Sequence, residues 1–94
     1  MDFTSAHNVH ESAIFDAVKR AAREFPGLAG QADLFVDVAC VALNRMPPRY
    51  IRHDADLAFF LTDKERAQNE RLIKDSVQYA YEFVQARHAM AARR

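Results

Sequence analysis

Residues 42–50 read ALNRMPPRY and join the end of an apolar helix to a rigid turn that carries cations. Pro47 has no backbone N–H to donate, and it restricts the residue before it to extended conformations. The segment therefore predicts that the helix ends at about Arg45. We expect the rest of the chain to serve as a scaffold for this turn.

The segment before the turn, residues 31–45, is apolar on nearly all sides and leaves Asp37 and Asn44 as isolated polar residues. A run of this length exceeds an ordinary strand, so a helix is predicted despite its valines. A helix that is apolar all round is typically buried. We therefore predict a central helix enclosed by the rest of the fold, with Cys40 as a small buried apolar side chain.

A second helix is predicted before this segment. Asn8 and Glu11 have the spacing of a capping box, in which the two side chains satisfy backbone N–H groups at a helix start. The helix should begin near residue 9 and stop near Phe25, where Pro26 and Gly27 follow. Its apolar side chains fall on one broad face, which we assign to the core or to a dimer interface.

The C-terminal part of the chain is predicted to be one long helix, from residue 63 to about residue 91. Thr62 and Glu65 repeat the capping-box spacing, and apolar side chains then recur every three or four residues. Such a helix spans about 40 Å, which is more than a domain of this size covers. We expect part of it to pack against a second copy. Residues 57–61, LAFFL, fit either a short strand or an extended arm.

The composition fits a single helical domain over residues 1–94. Half of the residues are hydrophobic, and two Gly and three Pro residues are too few for the turns of a β-sandwich. The expected fold class is all-α, a compact domain of three to four helices with at most a short extended strand. A homodimer is expected because so small a domain buries a modest share of its surface.

Charge and cysteine content limit the classes of partner and the compartment. The formal net charge is zero, so we expect neither direct nucleic-acid binding nor attraction to a membrane. No window approaches the ~20 apolar residues of a membrane span, and the N-terminus lacks the pattern of a signal peptide. A single cysteine agrees with a reducing compartment. The predicted location is cytoplasmic.

A local excess of cations surrounds the Pro–Pro turn. Residues 38–53 contain no acidic residue but hold Arg45, Arg49 and Arg52, with Tyr50 among them. The planar guanidinium fork suits phosphate, and both arginine and tyrosine can stack on a purine. The alternative is a solvated surface on which Arg45 complements the helix end, and residue chemistry alone favours this simpler interpretation.

Asp37 on an apolar helix calls for a partner, because desolvating an unpaired carboxylate is costly. The simpler prediction is an ion pair or a cap to the neighbouring turn, with Arg45 or Arg49 as candidate partners. A sharper hypothesis is that Asp37 accepts hydrogen bonds from the edge of a guanine base or orients the arginines.

Catalysis and metal binding have no positive signal in the sequence. There is no Ser-His-Asp order, glycine-rich phosphate loop or close carboxylate pair, so no catalytic residue is predicted and the protein is not expected to be an enzyme. His7, His10 and Glu11 only faintly resemble metal ligands, and zinc would need a further ligand from a distant position. We predict neither a metal nor another cofactor.

The sequence resembles the late-competence ComFB family of small bacterial proteins. The close match covers about residues 36–51, with Asp37-Val38-Ala39 and the specific run LNRxPPRY, and a looser match begins at Asn8. Many relatives carry cysteines that look like metal ligands just before the aspartate. Here Ala29, Gln31 and Leu34 stand in that neighbourhood, so a zinc site is not carried over.

The resemblance implies a helical homodimer in the bacterial cytoplasm that acts as a receptor for cyclic dinucleotides rather than as an enzyme. Cyclic di-GMP is favoured over cyclic di-AMP, and the downstream protein partner is unidentified. The implied ligand-binding residues are Arg45, Arg49 and Arg52 at the phosphates, Tyr50 on a base, and Asp37 or Asn44 at a base edge. The alternative function is that of a ligand-free dimeric structural or adaptor protein that engages a protein partner.

Overall fold

The computed structural model describes residues 1–56 and 61–92, and the fold is mainly helical. A two-residue strand β1 (His7–Asn8) precedes helix α1 (Glu11–Ala21), which is followed by 3-10 helices at Ala22–Glu24 and Pro26–Leu28. Helix α2 (Ala32–Arg45), strand β2 (Tyr50–Ile51) and helix α3 (Asp63–Ala92) follow in that order. The predicted helical class is confirmed. The predicted strand or arm at 57–61 lies, except for its last residue, outside the described residues.

The end of α2 and the start of α3 agree with the sequence signals. Helix α2 ends at Arg45, and Met46 is extended, with φ −101° and ψ 135°, as expected of a residue before proline. At α3, the Glu65 N–H donates to Thr62 Oγ1 over 3.1 Å, which is the predicted cap. Although α3 has 30 residues, neither it nor another helix in the described ranges is apolar and long enough to cross a membrane.

The start of α1 differs from the prediction. Asn8 lies in β1, three residues before the helix begins at Glu11, and it caps nothing in α1. Its Oδ1 instead accepts from the backbone N–H groups of His10 and Arg49, both over 3.3 Å. The Asn8 side chain does accept hydrogen bonds from backbone N–H groups, as the sequence predicts, but one of these donors is 41 residues away in the sequence.

The core lies where α2 runs along α3 and α1 packs against both. Tyr81 is fully buried at this junction, with its ring stacked on Phe25 at 4.2 Å between centroids and edge-on to Phe35 at 6.2 Å. The Tyr81 hydroxyl donates to the Val18 carbonyl over 2.5 Å. The remaining buried apolar side chains of the three helices are Ile14, Val18, Val38, Ala39, Ala42, Val77, Ala80 and Val84.

Helix α2 has one exposed side, so the prediction of a helix buried all round is wrong. Val36 is 62% exposed, and Cys40, predicted to be buried, is exposed as well. The polar residues on this side are Asp33, Asp37 and Asn44. Among the described residues the main neighbours of α2 are α1 and α3, and two neighbouring helices cannot enclose the whole circumference of a third.

Candidate functional site

The turn after α2 is fixed by the N-terminal segment of the chain. Strands β1 and β2 pair antiparallel, with His7 opposite Ile51 and Asn8 opposite Tyr50. The Val9 N–H also donates to the Arg49 carbonyl over 2.7 Å. Sequence reasoning missed this pairing because two-residue strands have no readable period, and the signal at Asn8 also fits a helix cap.

The pairing presents the cations and the tyrosine of the turn to solvent. Successive side chains of a strand point to opposite faces, so the half-buried Ile51 faces inward and Tyr50, 69% exposed, faces outward. Arg49 and Arg52 are exposed on either side of β2. Within residues 1–56 and 61–92, no carboxylate lies within ion-pair distance of either guanidinium. The turn therefore carries positive charge that these residues do not neutralise.

Arg45 is engaged by α3. Its guanidinium carbon lies 3.8 Å from the centre of the Tyr79 ring, a cation–π contact. Tyr79 in turn packs on Phe83, with ring centroids 6.1 Å apart. Leu72, Tyr79, Phe83 and Met90 are all exposed, and their spacing of seven, four and seven residues places them along one side of α3. We call these four residues the aromatic stripe.

Asp37 and Asn44 lie on the exposed side of α2. Asp37 lines a cavity of about 340 Å³ with Arg87 and His88 of α3. It precedes Arg45 by eight residues, which is about 12 Å along a helix axis. The expected ion pair of Asp37 with Arg45 or Arg49 is not formed, and this distance along the helix explains why Arg45 is out of reach.

One histidine, His7, lies in β1 and another, His10, follows it, and their pKa values shift in opposite directions. The Nδ1 of His7 faces the Ser5 carbonyl at 2.9 Å and its Nε2 faces Asp54 Oδ1 at 2.7 Å. Both nitrogens can donate only in the protonated ring, so the Ser5 carbonyl and then Asp54 raise the pKa of His7. Burial and the nearby Arg49 lower the pKa of His10.

A cleft of about 300 Å³ lies between the proline turn and the first turns of α3. One side is formed by Pro47, Pro48 and Arg49, together with Val9 and His10, and the other by Leu61, Glu65, Gln68 and Asn69. Sequence reasoning did not associate these α3 residues with the turn. Their spacing on one helix face was visible, but nothing in the sequence shows which segment faces them.

The family model described as "Late competence development protein ComFB" matches residues 7–88. The chain belongs to the ComFB family. The match runs from β1 through most of α3, so it includes both strands and the Pro–Pro turn. Comparison with curated proteins and with solved structures gave no match.

The ComFB fold of this chain separates the six predicted ligand-binding residues into two groups. Arg49, Tyr50 and Arg52 lie together on and around β2. The other three lie on α2, where Arg45 stacks on α3 and Asp37 and Asn44 are exposed. Among the described residues, no cluster of three or more histidine, cysteine or acidic side chains is placed to hold a metal ion.

Proposed function

We propose that this ComFB chain is a non-catalytic receptor for cyclic dinucleotides, with cyclic di-GMP favoured over cyclic di-AMP. The observation that carries the proposal is the exposed group Arg49, Tyr50 and Arg52 on a turn fixed by two prolines and by β1. Guanidinium groups without a carboxylate partner suit phosphates, and an exposed tyrosine ring can stack on a base. A turn held in place before binding loses little entropy when the ligand arrives.

We further propose that the receptor is a homodimer joined through the aromatic stripe. Exposed apolar side chains in a row along one side of a helix favour packing against a second helix, because association removes them from water. The radius of gyration is 15.1 Å, whereas a compact domain of this length has one of about 12 Å. A two-fold dimer would offer paired sites to a ligand that is itself nearly two-fold symmetric.

Signalling in this proposal passes through the strand pair to a downstream protein, in the cytoplasm of the cell. A phosphate bound at Arg49 lies one residue from β2, and β2 holds the N-terminal segment through β1. A ligand that binds more tightly when β1 and β2 are paired than when they are separated shifts the population towards the paired state. The surface formed by residues 1–9 would then change with ligand concentration.

Titration calorimetry tests the receptor proposal. Wild-type protein should release or absorb heat with cyclic di-GMP, and Arg49→Ala should weaken binding at least about tenfold, since a hydrogen bond to a charged group contributes about 1.5–3 kcal/mol. The substitution leaves the backbone contacts of Arg49 in place. Arg23→Ala, at an exposed position in the 3-10 helix after α1, is the matched control and should bind as the wild type does.

Two results would overturn the proposal. One is the absence of heat with both cyclic di-GMP and cyclic di-AMP, and the other is an unchanged affinity in Arg49→Ala. Recovery of linear dinucleotide after incubation would instead reveal a phosphodiesterase.

A ligand-free dimeric adaptor is the second candidate function, and the aromatic stripe is the observation that favours it. Tyr79 and Phe83 are each 40% exposed, and Arg45 lies over the Tyr79 ring, so Arg45 contacts this surface rather than the turn. Sedimentation velocity separates the candidates when combined with calorimetry. A dimer that binds neither nucleotide supports the adaptor, whereas a dimer that binds one supports the receptor.

A further inference from the structure

We propose that the cleft between the proline turn and α3 is a guanine-selective base site, in which Glu65 accepts hydrogen bonds from the base edge. This inference rests on the proposed receptor function. It assigns a role to residues of α3, which lie outside the run LNRxPPRY at the turn. The cleft has the mixture expected of a ligand site, with apolar walls and a few convergent polar groups.

The apolar part of the cleft suits the flat face of a base. Val9, Pro47, Pro48 and Leu61 line it, and the proline rings have little conformational entropy to lose on contact. A volume of about 300 Å³ is at the lower end of the range for ligand pockets. One cleft therefore fits one base of the ligand, and the second base would occupy the same cleft in a second copy.

Three of the polar residues of the cleft come from one face of α3. Glu65, Gln68 and Asn69 are spaced three and four residues apart, so they are neighbours on the helix surface. Within the described ranges none of their side chains has a hydrogen-bond or ion-pair partner, and the one contact of Glu65 with Thr62 uses its backbone N–H. All three side chains are therefore available to a ligand.

Arg49 reaches the same cleft from the opposite side. Arg49 and Glu65 both line it, and no guanidinium nitrogen lies within 4.0 Å of the carboxylate, so the two side chains form no ion pair. Guanine has adjacent N–H donors on one edge and the acceptors O6 and N7 on the other. A carboxylate accepts from the first edge. Arg49, on the opposite side of the cleft, binds the phosphate of the same nucleotide.

Adenine does not complement the carboxylate. At the position of the guanine N1–H donor it carries an unprotonated nitrogen, which would face the acceptor-only carboxylate. Groups left unpaired in a binding site reject a ligand strongly, so the cleft should discriminate between the two bases.

Calorimetry on Glu65→Gln tests the assignment with both cyclic di-GMP and cyclic di-AMP. The amide keeps the size of the side chain and the backbone cap to Thr62 but replaces an acceptor with a donor. We expect the affinity for cyclic di-GMP to fall at least tenfold and the affinity for cyclic di-AMP to stay equal or rise. Glu70→Gln, on the same helix but in the groove between α1 and α3, should leave both affinities unchanged.

The outcomes separate this inference from the function on which it rests. If the wild type binds neither nucleotide, both proposals are overturned. If the wild type binds and the ratio of the two affinities is the same in Glu65→Gln, only the base site is overturned. A circular dichroism spectrum equal to that of the wild type establishes that Glu65→Gln is folded, and Gln68→Ala provides a second variant at the same cleft.

Discussion

Replacing Tyr81 with phenylalanine removes one hydroxyl from the centre of the fold. That hydroxyl donates to the Val18 carbonyl over 2.5 Å, near the end of α1. The backbone N–H of Ala22, which would ordinarily bond to Val18, bonds to the Lys19 carbonyl instead. Tyr81 therefore supplies a donor that the helix itself does not, and the variant leaves a buried carbonyl without it.

The expected cost is about 1–3 kcal/mol, because an unsatisfied buried acceptor forfeits its hydration as well as its hydrogen bond. The ring contacts with Phe25 and Phe35 remain, so no cavity penalty is added. For a domain of this size each 1 kcal/mol lowers the melting temperature by about 4–8 °C. Tyr81→Ala would lose the ring contacts too and should cost about 3–5 kcal/mol.

Urea unfolding followed by far-ultraviolet circular dichroism measures this loss at one fixed protein concentration. The midpoint for Tyr81→Phe should fall while the m-value stays constant. Tyr50→Phe is the control, since it removes a hydroxyl from a side chain that is 69% exposed, and it should change stability by no more than about 0.5 kcal/mol. Equal midpoints for Tyr81→Phe and the control would refute the role assigned to the hydroxyl.

Two further predictions concern charged contacts around the site. Asp54→Asn should lower the pKa of His7, measured by NMR titration of the ring, because one of the two acceptors that favour the protonated form loses its charge. Since folding raises the pKa of His7, its contribution to stability is full below about pH 6.5 and is lost as pH rises through the pKa of the folded protein. An unchanged His7 pKa in Asp54→Asn would exclude the contact. A double-mutant cycle with Arg45→Gln and Tyr79→Leu should give a coupling of about 0.5–1 kcal/mol in urea unfolding, and strictly additive effects would contradict the cation–π contact.

Local signals in the sequence were sufficient for the end of α2 and the start of α3. Pro47 determined the end of α2, and the hydroxyl of Thr62 determined the start of α3, because both act on backbone groups within a few residues. The ALNRMPPRY run likewise indicated the family, which the match over residues 7–88 confirmed. These features depend on covalent restriction and short-range hydrogen bonds, so they can be read without knowledge of the fold.

Only the tertiary structure decided what surrounds the turn. The pairing of Asn8 with Tyr50, the exposed side of α2 and the approach of Glu65 to Arg49 all depend on contacts between residues far apart in the chain. The hydrophobic period of a sequence predicts which face of a helix is apolar. It does not predict which element packs on that face or how much of the helix that element covers. The sequence by itself determined that arginines surround the Pro–Pro turn. The packing of α3 against that turn decided that a cleft lies beside them.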